Sequence, residues 1–118
     1  MGKRGRRRGA EHMSAPTSRY EDPEGNALVL RGAMTAATRA EYAAVRGGRL
    51  ELEDAWQRSV EFLFERLVVR WEIGDLEPIE GQRELLGRFR FASAVERAWI
   101  RDVLREHLAE HFPELEAP

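Results

Sequence analysis

One apolar stripe between residues 51 and 71 constrains the fold of this chain more than any other feature. Its members recur every three or four residues, which is the spacing of a single helix face: Leu52, Trp56, Val60, Leu63, Leu67 and Trp71. Acidic residues at positions 51, 53 and 54 stand where they favour the positive end of a helix dipole. The pattern therefore predicts a central core helix over residues 51–71.

Shorter elements are predicted before that helix. Asp22–Gly25 is a turn sequence, with proline second and glycine fourth, and it predicts a short hairpin over residues 20–35. Thr35 is a suitable cap for a helix over residues 36–46. The pair Gly47-Gly48 is expected to end this helix in the left-handed conformation.

Two further helices are predicted after it. The first runs over residues 79–91, and the second begins at a capping box formed by Ser93 and Glu96 and runs to about residue 111. The expected fold is α+β and predominantly helical, one compact domain with a short N-terminal β-hairpin and about four helices.

Composition divides the chain into a basic tail and an acidic body. Its 118 residues suit one domain, and the absence of cysteine excludes disulfide scaffolds and thiolate metal sites. The formal net charge of −2 hides a net +5 in residues 1–19 and a net −7 in residues 20–118. Residues 1–19 lack apolar periodicity and are predicted to be a disordered basic tail, whereas residues 20–118 form the single helical domain. Met13 is an alternative start.

The basic tail predicts nonspecific binding to polyanions through charge alone. The residues concerned are Lys3, Arg4, Arg6, Arg7 and Arg8. No apolar run is long enough to span a bilayer, so no membrane partner is expected.

Two patterns near the C-terminus suggest chemistry or DNA recognition. His107, Glu110 and His111 match the H-x-x-E-H pattern of zinc hydrolases, but the body offers no further histidine as a third ligand. We interpret these histidines as part of a semi-buried helix face, and expect no metal, no cofactor, no catalytic residue and no enzymatic activity. Arg97, Arg101 and Arg105 form a row on the last helix, which with the preceding helix has the outline of a helix-turn-helix. Acidic residues crowd the same helix, so a small DNA-binding regulator is an alternative rather than the preferred interpretation.

Three stretches together resemble the small tail assembly chaperones of long-tailed phages that infect actinobacteria. They are RYEDPEGNALVLRGAMTAATRAEY at 19–42, LEDAWQRSVEFLFERLVVRWEI at 52–73 and EGQRELLGRFRFASAVERAWIRDVLREHLAEHFPEL at 80–115. The resemblance implies a non-catalytic protein of the bacterial host cytoplasm that binds the tape measure protein during tail morphogenesis. It also implies a gene read in two forms, of which a chain ending at residue 118 looks like the shorter.

A helix of this partner protein is expected to lie in an apolar groove. The candidate partner-binding residues are Phe89, Phe91 and Phe112, with core packing as the alternative for all three. Self-association into a homo-oligomer is possible on this interpretation. A structural head–tail connector, which would assemble as a ring, is a further alternative.

Overall fold

The computed structural model describes residues 16–47 and 52–118, with side chains from residue 54 in the second range, and a two-stranded hairpin is the first element of this part of the chain. Strands β1 (Thr17–Glu21) and β2 (Ala27–Arg31) pair antiparallel, with Tyr20 opposite Leu28. The Asp22 carboxylate accepts hydrogen bonds from the backbone N–H groups of Glu24 (2.8 Å) and Asn26 (2.9 Å). Gly25 has a φ of +89°, which favours glycine. The predicted hairpin is confirmed.

Strand β1 begins before the predicted start of the domain at residue 20. Residues 17–19 belong to β1, so the prediction of disorder up to residue 19 is wrong at these three positions. The reason is that their backbone pairs with β2, Thr17 opposite Arg31 and Arg19 opposite Val29. The prediction for residues 1–15 lies outside the described residues.

Helix α1 (Ala36–Arg46) has the predicted bounds and the predicted cap. The Thr35 hydroxyl accepts a hydrogen bond from the Thr38 N–H at 3.1 Å. The expected left-handed stop is wrong at Gly47, whose φ is −90°. Its N–H still donates to the Ala43 carbonyl at 2.9 Å, so Gly47 continues the helical bonding, and Gly48 lies outside the described residues.

The predicted long helix is a helix followed directly by a strand. Helix α2 spans Leu52–Leu67 and strand β3 spans Val68–Glu72, so the prediction of a helix up to residue 71 is wrong for its last four residues. Val68 and Val69 are β-branched and favour a strand. β3 pairs antiparallel with β2, which places Trp71 opposite Leu28.

Helix α3 (Gln82–Arg90) begins three residues later than predicted. Ile79 is an isolated bridge residue, and its backbone N–H and carbonyl both bond to Trp71 at 2.9 Å. Because Ile79 is committed to this bridge, the helix starts only after Gly81, which is its N-cap.

Helix α4 (Ala94–His111) confirms the predicted capping box and the predicted end. The Ser93 hydroxyl accepts from the Glu96 N–H at 3.1 Å, and the Glu96 carboxylate accepts from the Ser93 N–H at 2.9 Å. The pKa of Glu96 is lowered, first by its hydrogen bond from Arg88.

A single core lies between the three-stranded sheet, in the order β1-β2-β3, and the helices. Its largest fully buried side chains come from all layers: Leu28, Tyr42, Phe64, Trp71, Leu104 and Phe112. The fold is α+β, mainly helical and compact, as predicted. Within the described residues, no helix combines the length and apolar character needed to cross a membrane.

Candidate functional site: a groove between two helices

Helices α2 and α4 border an open groove of about 570 Å³, a volume typical of binding sites. Its apolar lining consists of Trp56, Val60, Phe89 and Ala98, and its polar lining of Gln57, Arg97 and Arg101. Val60 and Phe89 are buried members of the main core, so the floor of the groove is the edge of that core. We call this surface the α2–α4 groove.

Aromatic rings hold the two arginines of the α2–α4 groove. The guanidinium carbon of Arg101 lies 4.6 Å from the centroid of the Trp56 ring, and that of Arg97 lies 5.1 Å from the centroid of Phe89. Arg97 also donates to the backbone carbonyls of Arg90 (3.1 Å) and Ala92 (3.2 Å). These contacts fix positive charge along the α4 wall. Among the side chains that the structure describes, from residue 54 onward in α2, none that lines the groove is acidic.

One N–H group of Arg101 has no acceptor among the described residues. The Nε atom of Arg101 is buried and makes no hydrogen bond with any residue that the structure describes. A buried donor without an acceptor carries a desolvation cost.

The three phenylalanines predicted to bind a partner do not lie together on one surface. Phe89 is 4% exposed and stacks on Phe64, with ring centroids 4.7 Å apart. Phe112 is fully buried beneath the Arg39 guanidinium. Phe91, which follows the last residue of α3, is 87% exposed. Of the three, Phe91 alone presents its whole ring to solvent, while Phe89 contributes only the edge that lines the groove.

A second cleft lies beside the first turn of α4. It has a volume of about 380 Å³ and is lined by apolar Val95, Trp99 and Trp71 together with acidic Asp22, Glu24 and Glu96. Val95 is 79% exposed, although the apolar residues Trp99 and Val103 follow it at helical spacing. Together with Phe91 it forms an exposed apolar pair at the α3–α4 junction.

The two histidines of the H-x-x-E-H pattern attach α4 to the hairpin. The fully buried His107 contacts the Arg31 carbonyl through Nε2 at 2.6 Å and the Tyr20 hydroxyl through Nδ1 at 2.7 Å. Since a carbonyl only accepts, Nε2 carries the proton and Nδ1 accepts from Tyr20. His111 Nε2 lies 3.1 Å from the Ser18 hydroxyl. Burial lowers the pKa of His107, and the Arg31 carbonyl opposes this effect.

These hydrogen bonds support the structural interpretation of both histidines. Among the described side chains, no group of three or more His, Asp or Glu residues is arranged to hold a metal ion. The glutamate of the pattern, Glu110, is exposed, and its carboxylate lies 3.7 Å from His111 Nε2.

The arginine row on α4 is not a uniform charged face. Arg97 and Arg101 lie over aromatic rings, and Arg105, one turn further on, is exposed and does not line the groove. The three-residue connection between α3 and α4 matches the predicted helix pair. The basic tail residues Lys3, Arg4, Arg6, Arg7 and Arg8 lie outside the described part of the chain.

Sequence reasoning missed Trp56 and Val95 as surface residues and missed the pairing of Trp56 with Arg101. Both apolar residues fit the helical spacing of a core face, and that spacing alone does not say where the neighbouring helix diverges. Comparison with known proteins finds no matching family model, no matching curated protein and no matching solved structure.

Proposed function

We propose that this chain is a non-enzymatic phage tail assembly chaperone that binds the tape measure protein in the cytoplasm of the bacterial host. The observation that carries the proposal is the α2–α4 groove, an apolar cleft between two helices of the kind that accepts a partner helix. The exposed residues Phe91 and Val95, which lie outside the groove lining, provide a separate apolar surface at the start of α4. The resemblance of residues 19–115 to such chaperones names the partner.

The packing of the polar residues supports a role without catalysis. His107 and His111, the residues that suggested zinc chemistry, make hydrogen bonds to the hairpin. Arg97 is bonded to two backbone carbonyls and stacked on Phe89. Activity on this proposal comes from the surface rather than from reactive groups.

A DNA-binding regulator is the second candidate, because α3 and α4 have the short connection of a helix-turn-helix. The positions of Arg97 and Arg101 weigh against it. Both guanidinium groups lie over aromatic rings at the side of α4. They therefore do not project together from the helix, as contacts to a phosphate backbone would require. The connector alternative predicts a ring of copies, which size-exclusion chromatography with light scattering would detect.

Co-expression with the tape measure protein of the same phage tests the proposal. We expect a larger soluble fraction of that protein and a complex that survives a rise from about 50 to 200 mM salt, over which a DNA complex weakens by orders of magnitude. Ala98→Trp, which changes the groove lining, and the double variant Phe91→Ser/Val95→Ser, which changes the exposed junction, should each lower the amount of complex that is recovered. Leu76→Ser is the matched control, because Leu76 is 69% exposed and lies in the β3–α3 loop.

Two results would overturn the proposal. One is a tape measure protein equally insoluble with and without this chain. The other is recovery of a specific DNA duplex in place of that protein.

A further inference from the structure

We propose that the occupant of the α2–α4 groove is an amphipathic helix with acidic residues along the edge that faces α4. The proposal rests on the proposed function, and it adds the chemical character of the recognised segment. Three features of the groove lead to it: the apolar floor, the fixed cations on the α4 wall, and the uncharged described residues of the α2 wall.

The floor selects apolar side chains. Val60 and Phe89 are 8% and 4% exposed, and each contributes an edge to the groove while the rest of the side chain belongs to the core. Ala98 on the α4 wall is small and leaves the cleft open above them. Residues spaced three and four apart on a partner helix form a ridge that fits such a cleft.

The walls select charge. Arg97 and Arg101 stand one helical turn apart on α4, whereas the α2 wall offers the neutral Gln57. Arginine binds carboxylates in a planar, charge-assisted geometry, so acidic residues one turn apart on the partner match this spacing. The partner therefore carries its acids along the edge that faces α4.

The arginines are held in place before the partner arrives. Trp56 lies under the guanidinium of Arg101 and Phe89 under that of Arg97, at 4.6 and 5.1 Å. Long side chains that are already ordered lose less conformational entropy on binding.

The charge of the groove disfavours other occupants. The basic segment of residues 3–8 in this chain has the wrong sign for the α4 wall. Nucleic acid has the right sign, but the apolar floor between the arginines and the α2 wall gives no contact to a phosphate backbone.

Two synthetic peptides of about 15 residues provide the test. Both have leucines on one face at helical spacing; one has glutamates along one edge, and the other has lysines at those positions. With the full chain, fluorescence anisotropy of the labelled glutamate peptide should show binding on the order of tenfold tighter than that of the lysine peptide.

Charge reversal makes the test specific. Arg101→Glu should weaken the binding of the glutamate peptide on the order of tenfold and strengthen the binding of the lysine peptide. Arg105→Glu is the matched control and should change neither preference, because Arg105 is exposed on α4 outside the groove lining. Ala98→Trp should fill the groove and weaken the binding of both peptides. Unchanged thermal unfolding confirms that each variant is folded.

Several outcomes would overturn the proposal: equal binding of the two peptides, no binding of either, or equal effects of Arg101→Glu and Arg105→Glu. The proposal also fails if the occupant proves to be a second copy of this chain, seen as a homodimer that Ala98→Trp dissociates. It fails likewise if the occupant is DNA, seen as DNA binding that Arg101→Glu abolishes. Failure of the chaperone function is a separate result. If Arg101→Glu still recovers the tape measure protein, this inference falls and the function stands. If the wild-type chain recovers none but binds the glutamate peptide selectively, the function falls and the groove chemistry stands.

Discussion

Acid should destabilise this protein through a single buried side chain, His107. The ring is fully buried, donates through Nε2 to the Arg31 carbonyl and accepts through Nδ1 from the Tyr20 hydroxyl. A second proton on Nδ1 would place a positive charge away from water and force the Tyr20 hydroxyl to turn from donor to acceptor. The His111 ring, with its centroid 4.6 Å away, also disfavours that charge, while Glu110 favours it.

The sign of the effect follows from the direction of the pKa shift. Burial lowers the pKa of His107 in the folded protein below its ordinary value of 6.5, so the unfolded chain binds this proton first. The free energy of unfolding should be constant above pH 6.5 and fall as the pH drops from 6.5 towards the folded pKa. For one proton the slope approaches about 1.4 kcal/mol per pH unit.

The accumulated loss at pH 5.5 is therefore at most about 1.4 kcal/mol. That is a measurable fraction of the roughly 5–15 kcal/mol by which domains are stable. The carboxylates with lowered pKa values act at lower pH: Asp22, Glu72 and Glu96 start from ordinary values of 3.8, 4.5 and 4.5. The interval from pH 6.5 to 5.5 thus isolates His107 from these three groups.

Urea unfolding at several pH values between 7.5 and 5.5, followed by tryptophan fluorescence, measures the effect. The slope m should stay constant while the midpoint falls below pH 6.5. His107→Gln should lower stability at pH 7.5 by about 1–3 kcal/mol, because it disturbs the partners of both ring nitrogens, and should remove the pH dependence. A stability that is flat down to pH 5.5, or a pH slope that persists in His107→Gln, would refute the reasoning.

Three further predictions concern the core, a helix cap and the exposed junction. Trp71→Ala should lower the free energy of unfolding in urea by about 3–5 kcal/mol, because Trp71 is 1% exposed and contacts Phe64 edge-on. A decrease below about 1 kcal/mol would contradict its place in the core. Ser93→Ala should cost about 1 kcal/mol through the lost cap of α4, and a variant as stable as wild type would argue against that cap. Phe91→Ser should change stability by less than about 0.5 kcal/mol while reducing recovery of the tape measure protein, whereas a strongly destabilised variant would mean that this exposed ring has a structural role.

The border between α2 and β3 shows why part of the fold escaped prediction. A spacing of four residues is common to a helix face and to a strand face, because four is close to one helical turn and equals two strand repeats. Leu67 and Trp71 are both buried on either interpretation. The discriminating signal is local, the adjacent β-branched Val68 and Val69, and it becomes decisive only when β2 is present to pair with them.

The candidate site was harder to predict because it depends on a contact between distant segments. Trp56 and Arg101 are 45 positions apart in the sequence, and nothing local to either residue indicates that they meet. Phe89 and Phe91 show the reverse case. Phe89 follows Leu85 by four residues and shares its buried face, whereas Phe91 lies beyond the end of α3. An accurate helix end would have separated these two phenylalanines from the sequence alone.

The preference for arginine over lysine has a structural consequence in this chain. The sequence has 18 arginines and one lysine, and in the described residues five guanidinium groups lie over aromatic rings: Arg39, Arg66, Arg88, Arg97 and Arg101. Such contacts typically occur about once per 70–80 residues, so their density here is high. The rings under Arg39, Arg88 and Arg97 belong to the core, which means that the core itself positions these cations. A lysine ammonium has no planar face to stack in this way. Replacing these arginines by lysine would therefore keep the net charge, but the charged group would no longer be held in a fixed position over the ring. Carboxylate recognition in the α2–α4 groove depends on that position, and Arg101→Lys should therefore weaken the binding of an acidic helix even though the charge is unchanged.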